Sequence, residues 1–236
     1  MARSAATIME RHVLATLSRR YGLLFIHGRA TASTAIHDAM EAHLDGEWLP
    51  KERLVSDDGR ILAARHSNLP TFIRHGCISP AERSRLLVFT TVRNPFDYLV
   101  STYFKMRAIH DGSLPRPHAL PTEARLESLA FSATHPFEQW VLRRWRKPGL
   151  LGRFRSPLHW RYYHTKDVDH VLRFERLQED FSELLARIGY EEPVELPKVN
   201  ATSGREHDYR RYYTPKARRH VERAWHDELD RYQYHY

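Results

Sequence analysis

Two places in this chain make a strand stop and a helix start within a few residues, and they constrain the fold more than any other feature. The first is Leu23-Leu24-Phe25-Ile26, which breaks at His27-Gly28-Arg29-Ala30-Thr31-Ala32 before a helical pattern begins near Ser33-Thr34. The second is Leu86-Leu87-Val88-Phe89, which runs through Thr90-Thr91-Val92 to Arg93-Asn94-Pro95 and again enters a helix. Short apolar runs without polar alternation fit strands buried on both faces, as in a parallel sheet covered by helices. Turns of this kind put helix N-termini at the carboxyl edge of the sheet, where unpaired N–H groups and the helix dipole favour an anion. Two such turns in one small chain suggest a ligand with more than one anionic group.

The expected architecture is therefore α/β: one domain over residues 1–236, with a mainly parallel central sheet flanked by helices. Met9, Val13 and Leu17 share a stripe and predict a helix over 7–19, within an N-terminal segment of residues 1–20. A strand is expected at 22–27 and a helix at 33–44 with Ile36, Met40, His43 and Leu44 inward. A polar stretch with Gly46 and Asp57-Asp58-Gly59 leads to a strand at 60–65 ending in Arg65-His66, a short helix at 69–75 and a strand at 85–92. The helix that follows is the best specified: Asn94 suits the N-cap, Pro95 the first position, and Asp97 the first turn. Phe96, Leu99, Val100, Tyr103 and Phe104 make its apolar face, and Asp97, Ser101 and Lys105 a polar stripe at spacings of four. Residues 108–168 are less regular, and a strand–helix unit returns at 169–188, with Leu177, Phe181, Leu184, Leu185 and Ile188 inward. Thr214-Pro215 opens a last helix carrying Val221, Trp225 and Leu229.

Composition narrows the chemistry. At 236 residues and 42% hydrophobic content, the chain can bury one sizeable core. The charge of +8 comes from 37 Lys+Arg against 29 Asp+Glu, and steers anions toward the protein. All but six of those 37 cations are Arg, which grips phosphate in bidentate fashion, although codon bias accounts for the excess equally well. Cys77 is the only cysteine, which excludes an intrachain disulfide and a multi-cysteine metal site. No His-Glu-x-x-His spacing occurs among the 16 His, so no metal is expected. No signal peptide or membrane-spanning run is legible, which points to a cytoplasmic protein. Net charge without a recognition motif gives no reason to expect nucleic acid.

A Walker phosphate loop is broken twice, because Ser33 replaces the second Gly and Thr34 the Lys. The second turn discriminates better. Phe89-Thr90-Thr91-Val92-Arg93-Asn94-Pro95-Phe96-Asp97-Tyr98-Leu99-Val100-Ser101 resembles the 3′-phosphate-binding segment of PAPS-dependent sulfotransferases, a family of P-loop-like fold. By that resemblance Arg93 and Ser101 grip the 3′-phosphate of 3′-phosphoadenosine 5′-phosphosulfate, PAPS. Residues Gly28, Arg29, Ala30, Thr31, Ala32, Ser33 and Thr34 then correspond to the 5′-phosphosulfate loop. Val171-Leu172-Arg173-Phe174-Glu175-Arg176-Leu177 resembles the family's late strand, and Leu196-Pro197-Lys198-Val199-Asn200 its C-terminal cofactor-closing segment, with Arg205 in reach of the same phosphate.

One departure matters. The family's 5′ loop reads like Pro-Lys-Thr-Ala/Gly-Gly-Thr-Ser, and here Ala30 stands where the Lys belongs and Arg29 where the Pro belongs. Loss of a preorganised partner at a developing charge costs about two to three orders of magnitude in rate. Either Arg29 takes over that role, or Arg65 or Lys105 does, or the protein is catalytically impaired; Arg29 is the favoured replacement. As base for the acceptor hydroxyl the candidate is His66, since Arg65-His66-Ser67 resembles a segment of carbohydrate-type sulfotransferases; His27 competes with it, packing beneath the loop as its alternative. The resemblance implies PAPS as co-substrate, PAP as product, and a hydroxyl-bearing small molecule or glycan as acceptor. Residues 108–168 become an acceptor-side helical insertion, in which Trp140, Arg143, Arg144 and Trp145 meet the acceptor, or Trp140 and Trp145 are core residues on helices whose other face is solvated Arg. The competing function is a non-catalytic protein on the same scaffold, binding a phosphorylated nucleotide or an acidic polymer.

Overall fold

A computed structural model describes residues 15–50, 68–114, 123–144, 163–197 and 204–236. They gather into two compact units: a sheet unit, from His12–Arg93 and Tyr162–Asn200, and a helical unit, chiefly from Asn94–Arg161 and Ala201–Tyr236. The architecture is α/β, as the sequence leads one to expect.

The sheet unit holds strands β1 (Ala15–Ser18), β2 (Leu23–Ile26), β3 (Glu47–Leu49), β4 (Leu87–Val92) and β5 (His170–Arg173). Their order is β3-β1-β2-β4-β5. The centre and one edge, β2-β4-β5, are parallel, and β1 joins β2 and β3 in antiparallel fashion. Around the sheet lie helices α1 (Ser33–His43), α2 (Leu69–Arg74), the single turn α3 (Pro80–Arg83) and, after β5, a helix over Leu177–Arg187. Leu24 and Ile26 of β2 enter one core layer with Leu17, Phe72, Ile78 and Val88. Leu23 and Phe25 enter the other, with Ile36, Met40, Phe89 and Phe181. Helices on both faces explain why β2 shows no polar alternation.

Three expectations need correction. Ala15–Ser18 is a strand and not the end of a helix; residues 1–14 lie outside the described residues. Ala15, Thr16, Leu17 and Ser18 pair one-to-one with Ile26, Phe25, Leu24 and Leu23, and Gly22 at φ +62° lets the chain reverse between the strands. Full-length pairing with an already buried strand outweighs the three-point helical stripe. The inward histidine of α1 is His37, 1% exposed, whereas His43 is exposed at its last turn. Glu47–Leu49, read from sequence as part of a polar stretch, is the edge strand β3. The strand expected at 60–65 lies outside the described residues.

In the helical unit, α4 (Pro95–His110) is joined by α5 (Glu123–Thr134) and α6 (Phe137–Arg143). With the 177–187 helix counted as α7, the chain closes in α8 (Pro215–Ala224) and α9 (His226–Arg231). Asn94 Oδ1 accepts from the Phe96 N–H at 3.0 Å, while its amide donates to the His235 carbonyl at 3.1 Å. One side chain thus caps α4 and ties it to the last residues. Trp140 is 2% exposed and packs edge-on against Tyr103, which places it in the core. Trp145 lies outside the described residues. No helix among the described residues is long and apolar enough to cross a membrane.

Candidate functional site

Parallel pairing of β2 with β4 brings Ile26 opposite Thr90, so both strands end at one edge and both turns leave from it. The first turn is built by close approach. A Cβ on Gly28 would lie 2.6 Å from Thr31 Oγ1, 2.7 Å from His164 Nε2 and 3.0 Å from the Thr91 carbonyl oxygen. Thr31 is fully buried, and its hydroxyl sits 2.5 Å from that of Thr91 at the end of β4. Ser33 Oγ donates to the Gly28 carbonyl at 2.8 Å and closes the loop on itself.

Between these anchors the backbone is left-handed twice, at Ala30 (φ 53°) and Ala32 (φ 61°). Left-handed residues in such a turn aim backbone N–H groups into one concavity, the usual form of an anion nest. Ala32 is also the N-cap of α1 and supplies no side-chain cap, and the first turn of α1 carries no acidic residue. A phosphate-type anion would find N–H groups and the positive end of the dipole there, unopposed by a carboxylate from that turn. The methyl groups make this shape costly, since a left-handed L-residue loses about 1–2 kcal/mol. Ala32→Gly is therefore expected to raise stability by about 0.5–1 kcal/mol once the extra chain entropy of Gly is subtracted. A urea midpoint that stays put or falls would contradict this.

Arg93 closes the second turn. It is 6% exposed, and its Nη1 donates to the Ala30 carbonyl at 3.1 Å. The guanidinium carbon stands 4.1 Å from the centre of the Phe174 ring. Strand register explains that partnership: Val92 lies opposite Arg173, so Arg93 and Phe174 leave the sheet edge together. The two turns, distant in sequence, meet through this one side chain.

His164 is the residue that sequence reasoning missed. Its ring is 5% exposed beneath the loop, and Nε2 donates to the Thr91 carbonyl at 2.9 Å. Burial lowers its pKa from 6.5 to about 4, against the opposing effect of that hydrogen bond, so the imidazole is neutral near pH 7. Only the space that Gly28 leaves for a ring could have hinted at it. His27 is 6% exposed beside the loop; the Thr16 hydroxyl lies 2.9 Å from its Nε2 and 2.9 Å from His37 Nδ1.

Arg29 is exposed, Ser33 and Thr34 are half-buried in the first turn of α1, and Ser101 is fully buried on α4 of the helical unit. Arg205 Nη1 is 2.5 Å from Asp97 Oδ1, an ion pair one turn before Ser101. The loop arginine thus joins the same helix as the candidate hydroxyl. His66, Arg65 and Asn200 lie outside the described residues. Among the described residues, no group of three or more His, Cys, Asp or Glu side chains is placed to hold a metal ion.

Against this geometry, the model of the Sulfotransferase family matches residues 15–235, nearly the whole chain. The chain belongs to the sulfotransferase family, whose general chemistry is the transfer of a sulfuryl group. No curated protein and no solved structure matches it.

Proposed function

We propose that this protein transfers a sulfuryl group from PAPS to a hydroxyl acceptor, either a small molecule or a glycan. The observation that carries this reading is the hydrogen bond from Arg93 to Ala30, which gathers the two candidate anion turns on one sheet edge. The residues fit a nucleotide bearing separate anionic groups. The Gly28–Thr34 loop and the start of α1 would hold the 5′-phosphosulfate through backbone N–H groups. Arg93, Ser101, Arg205 and Asn200 are assigned to the 3′-phosphate by the resemblance of their sequence segments to the family's. When bound, PAPS would supply the activated sulfuryl group and leave as PAP.

The chain's own part is orientation and charge. The left-handed backbone at Ala30 and Ala32 has the form of an anion nest whose donors would be preorganised, so little reorganisation would be needed as charge develops on the leaving phosphate. Arg29 is the loop cation nearest in sequence to the position where relatives of this pattern carry Lys, and we assign it the role of charge stabiliser. His66 is assigned the acceptor proton. A non-catalytic, nucleotide-binding protein is the second reading, favoured by Ala30 in that Lys position.

Thermal unfolding with PAP, PAPS, ATP, GTP and 5′-AMP tests the donor. A ligand specific to the folded state adds about 2.7 kcal/mol at a hundred times its dissociation constant. Selective stabilisation by PAP is expected; preference for ATP would refute the assignment. Arg93→Ala should weaken PAP by roughly 10- to 100-fold, in line with a charged hydrogen bond. Transfer from labelled PAPS to an acceptor library then separates the two readings: Arg29→Ala should lose turnover, and activity appearing only in Ala30→Lys would favour the non-catalytic one.

A further inference from the structure

Arg93 is held on two sides within the sheet unit. Its Nη1 binds the Ala30 carbonyl at 3.1 Å, and its guanidinium lies 4.1 Å from the centre of the Phe174 ring. An aromatic face restrains a guanidinium without consuming its N–H groups, which all lie in the cation's own plane. With the Phe174 ring on one side and the Ala30 carbonyl on another, fewer orientations are open to the Arg93 guanidinium. Phe174 itself is half-buried, in the short 3₁₀ turn Phe174–Arg176 directly after β5. Leu172, two residues earlier, is fully buried, so the strand gives that turn a fixed base.

We infer that Phe174 is the positioning residue that orients Arg93, and that this orientation sets the preference for nucleotides carrying a 3′-phosphate over those without one. The inference rests on the donor reading given above. A guanidinium already in its binding plane loses less rotamer entropy when it meets phosphate, and the gain goes only to ligands that possess the 3′ group. The 5′ end is held by loop N–H groups, and its affinity should not depend on the ring.

Calorimetric titration of the full chain with adenosine 3′,5′-bisphosphate and adenosine 5′-phosphate tests this in wild type, Phe174→Leu and Phe174→Tyr. The wild type is expected to prefer the bisphosphate. Phe174→Leu should shrink that preference about tenfold, almost wholly by weakening the bisphosphate. Phe174→Tyr keeps an aromatic face and should restore it. Should Phe174→Leu fail to fold, Phe174→Met is the second ring-free variant. If the ring-free variant keeps the wild-type preference, or weakens both nucleotides alike, Phe174 has a packing role only and the inference fails by itself. A wild type that shows no preference between the nucleotides overturns the donor reading and this inference together.

Discussion

Gly28→Ala should abolish PAP-dependent stabilisation and cost about 1–3 kcal/mol of folding stability, the range for an overpacked site. The added Cβ would meet three atoms at 3.0 Å or less, and one of them is the backbone carbonyl of Thr91. His164 Nε2 and Thr31 Oγ1 can retreat only by giving up hydrogen bonds to the end of β4. Relief therefore requires the loop to lift from the strand, which carries the left-handed residues away from their present positions. Urea unfolding and PAP titration of the variant measure the two effects separately. Wild-type values in both would show that the loop has room this packing does not reveal.

Acid should weaken the protein through His164. Its pKa is about 4 in the fold and 6.5 as the ordinary value, so the unfolded chain binds the proton more readily. The stability it contributes is fully present above pH 6.5 and is lost progressively as pH falls toward 4, where the loss levels off. That gap is worth about 3 kcal/mol at its limit. His164→Gln keeps a donor for the Thr91 carbonyl but cannot be protonated, so its stability should fall less steeply between pH 6.5 and 4. Unfolding free energies at a series of pH values decide it. Parallel profiles for variant and wild type would remove His164 as the cause.

Strand β2, helices α1 and α4, and the two turns were legible because each is written in local chemistry: an unbroken apolar run, a Pro after an Asn, a Gly after a His. Strand β1 was not, since its identity comes from pairing with Leu23–Ile26 and not from its own four residues. The same limit hid His37, whose burial depends on β1 and β3 covering α1; the polar neighbours of Glu47–Leu49 concealed that edge strand as well. Of the candidate site, Arg93 and the loop could be located from sequence, but their hydrogen bond could not. It depends on strands β2 and β4 being neighbours, a fact of topology. Phe174 and His164 come from segments more than seventy residues downstream of Arg93 and Thr91, and only the register of β5 on β4 brings that segment to the loop.

The two alanines at positive φ separate questions that a lysine-bearing loop would merge. Thr31, Ser33, Gly28 and Arg93 hold the turn in shape with no help from a charged side chain at position 30. Lys is unbranched at Cβ, so at φ 53° it meets the same backbone obstacle that Ala30 already tolerates. Geometry and charge are thus separable in this loop: a cation placed at position 30 would add charge without asking the backbone for a new conformation.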